Sequence, residues 1–243
     1  MLAARRTILR ALVTAAVAAL ALAGTAGAAA TDPQVQIAPA DQAWAESILL
    51  SSADLGTGWS ALSGGGGQAG DASASNLCPG FTPNESDLVV TGGSGSPDFM
   101  RSDGAVVSSA ATVWQTPEHA QADWDRMVQP QLLSCLASAI AAGSTKKLKI
   151  VIRSKGQLEF PDVASRTAAY RVRLSFHASR KVKGKLKKIA VPATFDLVLL
   201  GNGRATGMLL FVFVNAKPIT ASTEQSVAQL MAQRLARDPS AGA

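Results

Sequence analysis

The sequence predicts an α+β domain: a mainly antiparallel sheet of about five strands with N-terminal, central and C-terminal helices packed on it. Three observations lead there. Residues 148–214 alternate apolar and polar side chains over several runs, the two-residue period of half-buried strands. Residues 117–140 carry apolar side chains at helical spacing behind a strong helix start. Ser222-Thr223-Glu224-Gln225 opens a last amphipathic segment with a capping-box pattern.

The chain begins with what reads as an export signal over residues 1–30. Arg5, Arg6 and Arg10 form a basic start, Ala11 to Gly24 an apolar stretch too short to span a bilayer, and Ala26-Gly27-Ala28-Ala29-Ala30 the small residues a signal peptidase needs. Cleavage is expected after Ala28 or Ala30. Arg5-Arg6-Thr7-Ile8-Leu9-Arg10 also resembles the twin-arginine export motif; the alternative is an ordinary secretory start with adjacent arginines. No cysteine precedes Cys78 to take a lipid, and no later apolar run reaches membrane length, so no transmembrane anchor is expected. The expected location is extracellular or in the cell wall.

Beyond the signal, the chain reads as a flexible lead at 31–40, one domain over 41–238 and a tail at 239–243. Asp41 is placed to cap a helix carrying Trp44, Ile48 and Leu49, which Leu55-Gly56 ends. A Gly/Ser-rich loop at 63–76 leads into chain read as irregular through Cys78, Pro79, Pro83 and the Gly/Ser cluster at 92–96. Ala105 to Trp114 is small and β-branched enough for a strand. Thr116-Pro117-Glu118 then supplies a capping hydroxyl, a proline at the first helical position and an acid in the first turn. Next comes the stripe Ala120, Trp124, Met127/Val128, Leu132, Leu136, Ile140, with Cys135 beside it. Pro130 must kink that helix or split it into two abutting ones.

Leu148, Ile150 and Ile152 face one way, with Lys147, Lys149 and Arg153 opposite; Tyr170, Val172, Leu174 and Phe176 alternate with Arg171, Arg173, Ser175 and His177. Both are expected to be strands with a basic outer face. Ile189–Leu200 and Arg204–Val214 are joined by Gly201-Asn202-Gly203, where Asn-Gly is expected to supply the positive φ angles of a tight hairpin. Pro192 marks an edge or bulge. Met208 to Val214 is apolar on both faces, as a central strand covered on both sides requires. The last helix carries Val227, Leu230, Met231 and Leu235, with Arg234 and Arg237 in its final turn and Pro239 as its stop.

Two cysteines, Cys78 and Cys135, in an exported chain predict one disulfide, the alternative being two separate buried thiols. The formal charge of +6 hides a segregation: residues 31–145 hold twelve acids and two bases, residues 146–188 fourteen bases and two acids. The densest part is Arg180, Lys181, Lys183, Lys185, Lys187 and Lys188, between two alternating strands, where Lys183-Gly184 should turn a hairpin whose tip attracts polyanions. Anionic wall polymers and lipid head groups are the candidate partners. Nucleic acid is disfavoured because no aromatic side chain is there to stack bases. The competing reading is a solvating tip that resists edge-to-edge pairing.

Catalytic and metal signatures are otherwise missing. His119 and His177 stand at no metal-ligand spacing and read as exposed surface histidines. Gly92-Gly93-Ser94-Gly95-Ser96 misses the nucleophile-elbow pattern at its last position, and Gly56-Thr57-Gly58-Trp59-Ser60-Ala61 matches the dinucleotide fingerprint without a βαβ unit around it. Asp123 and Asp125, two apart on a helix, cannot work as a carboxylate pair, and Asn84-Glu85-Ser86 is a glycosylation sequon by pattern only. No cofactor, metal or catalytic residue is assigned.

Leu49-Leu50-Ser51-Ser52-Ala53-Asp54-Leu55, then Cys78, a strand ending Val113-Trp114, the helix through Ala120 and Ala122, and Cys135 beyond it resemble actinobacterial extracytoplasmic sensor-like domains. These form the outer portion of mycobacterial receptor Ser/Thr kinases and also occur as secreted or lipoprotein relatives. The resemblance spans roughly residues 45–235 and implies an α+β sandwich that binds or senses a ligand without catalysis. The chain departs from the kinase sensors in having one possible disulfide where they commonly have two, and in lacking a kinase or membrane segment. Element order is also similar to the Mog1/PsbP-like sandwich. The functional expectation is a secreted, non-enzymatic envelope protein binding a ligand or polyanion. The alternatives are a hydrolase of wall material with an unrecognised site, and a surface or matrix interaction protein.

Overall fold

The computed structural model describes residues 30–62, 81, 83–145, 148–182 and 185–239, with backbone alone at 179–182 and 185–188. The segment read as an export signal, apart from Ala30, the Gly/Ser-rich loop and residues 240–243 of the tail lie outside the described residues.

The elements in chain order are β1 (Gln34–Val35), α1 (Pro39–Ile48), the one-turn α2 (Ser52–Leu55), β2 (Trp59–Ala61), β3 (Val89–Gly95), β4 (Phe99–Arg101), β5 (Ala105–Trp114), α3 (Pro117–Met127), α4 (Pro130–Ala142), β6 (Leu148–Gln157), β7 (Arg166–Val182), β8 (Lys185–Asn202), β9 (Ala205–Val214) and α5 (Ala221–Leu235). The class is α+β as expected, but the sheet has nine strands, not five. Its order is β1-β3-β5-β9-β8-β7-β6, with β2 paired to β4 and β4 to β5; only β1–β3 is parallel.

The four additional strands escaped sequence reading for two reasons. β1, β2 and β4 are two or three residues long, too short to display a period. β3 contains the Gly/Ser cluster read as irregular chain, yet its first five residues are buried. The glycines are there for α1: a Cβ on Gly92 would fall inside the Asp41 carbonyl, so only a bare backbone lets the helix lie directly on this strand.

β9 stands at the centre of the sheet, as its two apolar faces predict. Leu209, Phe211 and Phe213 point into one core with Trp44 and Ile48 of α1 and Val227, Met231 and Leu235 of α5. Val212 and Val214 point into the other, where Leu136 and Ala137 of α4 meet Val172, Leu174 and Phe176 of β7 and Phe195 of β8. Each such large side chain contributes about 1.5–3 kcal/mol on burial, so the two layers carry most of the stability.

Several local expectations shift by a residue or two. α1 begins at Pro39 and Asp41 does not cap it; Asp41 turns inward, 7% exposed, and binds Arg204. Gly56, with φ of 80°, ends α2 rather than α1, and α2 has its own capping box between Ser51 and Asp54. Thr116 caps α3 by accepting from the His119 backbone N–H, and Pro130 divides the central stripe into two helices. The β8–β9 hairpin turns on Gly203-Arg204, one residue later than Asn-Gly; Gly203 takes the positive φ of 51°.

β7 and β8 are longer than the sheet they belong to. β6 pairs with β7 only as far as Ala178, and β9 pairs with β8 only from Ala193, beside Pro192. From Ser179↔Lys188 to Val182↔Lys185 the two strands continue as a bare ribbon.

Candidate functional site

α5 packs on β8 and β9, and where its first turn ends the apolar face of the sheet gives way to a polar one. Ala169 and Val198 still belong to the core. Two residues on, Arg171 of β7 donates from Nε and Nη2 to Asp196 of β8, both at 2.6 Å, and Asp196 is fully buried. Glu224 of α5 closes over this pair at 3% exposure; burial first, and the Asp196 charge second, push its carboxyl up to about 7. By strand alternation the same face continues along β7 with Arg173, Ser175 and His177, opposite Thr194, Pro192 and Ala190.

Neighbouring β6 adds Lys149 and Arg153. A bulge between Ile152 and Ser154 decides where Arg153 goes. Regular pairing would set it opposite Arg173, two guanidiniums face to face; the extra residue puts Ser154 there and leaves Arg153 free to turn. Arg153 Nε donates to Ser175 Oγ at 2.9 Å, and its Nη2 lies 3.2 Å from His177 Nε2; Ser175 Oγ lies 2.8 Å from the same nitrogen. A guanidinium has no acceptor, so Nε2 must accept, and the neutral ring carries its proton on Nδ1. The Ser175 hydroxyl then accepts from Arg153 and donates to Nε2. Ser175 is 7% exposed at the bottom of this cluster, while Arg153, Arg173 and Lys149 are exposed.

His177 is therefore half-buried and hydrogen-bonded, not the bare surface histidine expected. His119 also has a role, its Nδ1 accepting from the Val89 backbone N–H at 3.2 Å where β3 begins. The Ser175–His177 pair meets the distance for a nucleophile and base. No carboxylate orients His177 among the described residues, though, and an arginine occupies the nitrogen that would take the proton. As built, the cluster is a set of donors. None of Lys149, Arg153, Lys155 and Arg173 forms an ion pair among the described residues, whereas Arg101, Arg126, Arg171, Arg204 and Arg234 each hold an aspartate. The ribbon beyond continues the series. Arg180 and Lys181 end β7, and Lys185, Lys187 and Lys188 begin β8; Lys183 lies outside the described residues, as do the side chains of the other five.

Other clusters are less suited to a ligand. Arg126 donates to both Asp87 oxygens at 2.6 and 2.7 Å and to the Asn84 carbonyl, closing a hollow lined by Phe81, Pro83 and Gln129 with a neutral pair. Behind it Glu85 is pushed up to about 7 by burial, and Asp123 to about 8 by burial and then the Glu85 charge. Asp123 thus meets Glu85, a partner sequence spacing could not reveal, rather than Asp125, which accepts from Gln121. Among the described residues no group of acids, histidines or cysteines could hold a metal ion. Cys135 is half-buried on α4 beside the second core, as expected; Cys78 lies outside the described residues.

These features define a class: an α+β domain whose sheet is helix-covered over its cores and open and basic at one end. No family model matches the chain, and no curated protein does. Among solved structures it is similar to the extracellular domain of PknH from Mycobacterium tuberculosis, with a TM-score of 0.37 and 10% identity over 84% of this chain and 98% of that one. Among the described residues no helix is long and apolar enough to cross a membrane.

Proposed function

We propose that the chain is an exported, non-enzymatic cell-envelope protein that binds an anionic envelope component through the basic face of β6 and β7 and the ribbon continuing from it. One observation carries the reading: among the described residues Lys149, Arg153 and Arg173 share the open end of the sheet and form no ion pair, next to a ribbon whose ten residues, 179–188, include six bases and no acid. Uncompensated charge of one sign attracts the opposite sign over a distance and raises the rate of encounter. The Cys78–Cys135 bridge and the signal over residues 1–30 belong to the same proposal, since an oxidising compartment lets the bridge persist.

The test is attachment to isolated cell walls across a salt series. Binding should weaken steeply with salt, because exposed charges are screened over about 10 Å at 0.1 M. Changing Lys183, Lys185, Lys187 and Lys188 to Gln should abolish it while leaving thermal stability within about 0.5 kcal/mol per site. Attachment that ignores salt or survives in the quadruple variant would remove the ribbon from the function. N-terminal sequencing of secreted protein should find Ala29 or Thr31; intact Met1 would overturn the export step.

A further inference from the structure

We infer that Arg153, Ser175 and His177 form a seat for one phosphodiester group of a linear anionic polymer, so that the basic face reads a tetrahedral oxyanion at a fixed place rather than as diffuse charge. The inference rests on the polyanion-binding reading and sharpens it. Its first support is the bulge. The irregularity at Ile152/Ser154 lies in β6 and goes with Arg153 turning onto Ser175 and His177; bulges recur beside sites where a side chain has to be redirected. Its second support is donor geometry. With Nε on Ser175 and one Nη2 hydrogen on His177, Arg153 still has Nη1 and the other Nη2 hydrogen, and His177 presents Nδ1–H. All the unused hydrogens of the cluster are donors, and a planar guanidinium fork matches two oxygens of a phosphate where an ammonium offers only a point charge.

The occupant is indicated by the surroundings. Arg173 lies two residues along the same face, about 6.7 Å away by strand rise, and Lys149 pairs with His177 on the adjacent strand. Cations thus recur along a line that leads into the ribbon, which suits a chain of phosphodiesters better than a single small anion. A bilayer is a poorer match. The large hydrophobic side chains exposed among the described residues, Val35 and Ile37, lie at and just beyond β1, at the opposite edge of the sheet, so no described side chain beside the seat offers a membrane an apolar anchor.

The seat is tested by nitrogen–proton NMR of the Arg Nε–H and His ring signals in the mature protein, titrated with inorganic phosphate and with a synthetic glycerol-phosphate trimer. Arg153 and His177 should shift saturably, more tightly with the trimer, while the exposed Arg237, just past the C-terminal end of α5, does not saturate. Arg153→Gln should weaken trimer binding on the order of tenfold, the loss of a charge-assisted contact. Arg153→Lys should recover only part of it, and Ser175→Ala should weaken it less than Arg153→Gln. Because Arg153 is exposed, its variants keep their fold; unchanged thermal melting checks this for them and for Ser175→Ala, whose side chain is buried. An unchanged titration in Arg153→Gln, or equal non-saturating shifts at Arg237, would overturn the seat. So would binding to phosphatidylglycerol vesicles without binding to the trimer. If Arg153→Gln titrates like the parent while the ribbon variant loses wall attachment, the seat fails and the wider reading stands. If the parent shows the seat but never attaches to walls, the wider reading fails on its own.

Discussion

Replacing Arg204 should cost more stability than replacing any other charged side chain in the described structure. It sits in the β8–β9 turn at 9% exposure and donates from Nη1 and Nη2 to Asp41 at 2.8 and 2.7 Å, and from Nε and Nη2 to Asp238 at 2.9 and 3.1 Å. Its guanidinium also stacks 5.1 Å over the Trp44 ring. One side chain thereby ties the first turn of α1, the central hairpin and the chain leaving α5. Arg204→Met keeps an apolar stem but removes the guanidinium over Trp44 and strands Asp41, which is 7% exposed, without its counter-ion. Removing one partner of a buried pair typically costs about 3–5 kcal/mol, against about 1 kcal/mol or less for an exposed pair. For a domain of this size that is a fall in Tm of roughly 6–20 °C.

The pH dependence gives an independent check. The Arg204 hydrogen bonds hold the Asp41 carboxyl below its ordinary value of 3.8, so the pair contributes stability above that pH and loses it as pH falls through the lower folded value. The gap between parent and Arg204→Met, measured by urea denaturation at pH 7 and again near pH 3, should therefore narrow on acidification. Asp41→Asn combined with Arg204→Met should lose less than the two single changes summed. A loss of about 1 kcal/mol or less at pH 7, or a gap that does not change with pH, would refute the account of this contact.

Glu224 works in the opposite sense. Its folded value of about 7 lies above its ordinary 4.5, so it destabilises increasingly as pH rises between the two, and Glu224→Gln should raise stability at pH 8 by up to about 3 kcal/mol and change little at pH 4, as thermal unfolding across pH would read. If Cys78 and Cys135 are bridged as proposed, the closed loop would be worth about 4 kcal/mol in the chain-entropy view, and unfolded, unreduced protein should take up no maleimide; stoichiometric labelling of both cysteines would rule the bridge out.

Where local chemistry suffices, the sequence by itself determined the structure. Thr116-Pro117 starts α3 because a hydroxyl and a proline satisfy a helix N-terminus with no help from elsewhere, and Pro130 splits the stripe because its ring excludes the preceding carbonyl in any context. The two apolar faces of residues 208–214 put β9 at the centre, since nothing else could cover both. The basic block at 180–188 was equally plain, as charge needs no fold to be counted.

What the sequence could not show depends on distant neighbours. Gly92 and Gly93 signal a loop locally, and become buried strand because α1 lies on them. Asp41 reads as a cap until Arg204, 163 residues away, is brought to it. Arg153 and His177 belong to separate alternating runs, and either one reads as a solvated residue on its own strand. They meet because β6 pairs with β7 through a bulge, and register between strands is set by the packing of both faces, a property of the assembled sheet that neither segment encodes alone.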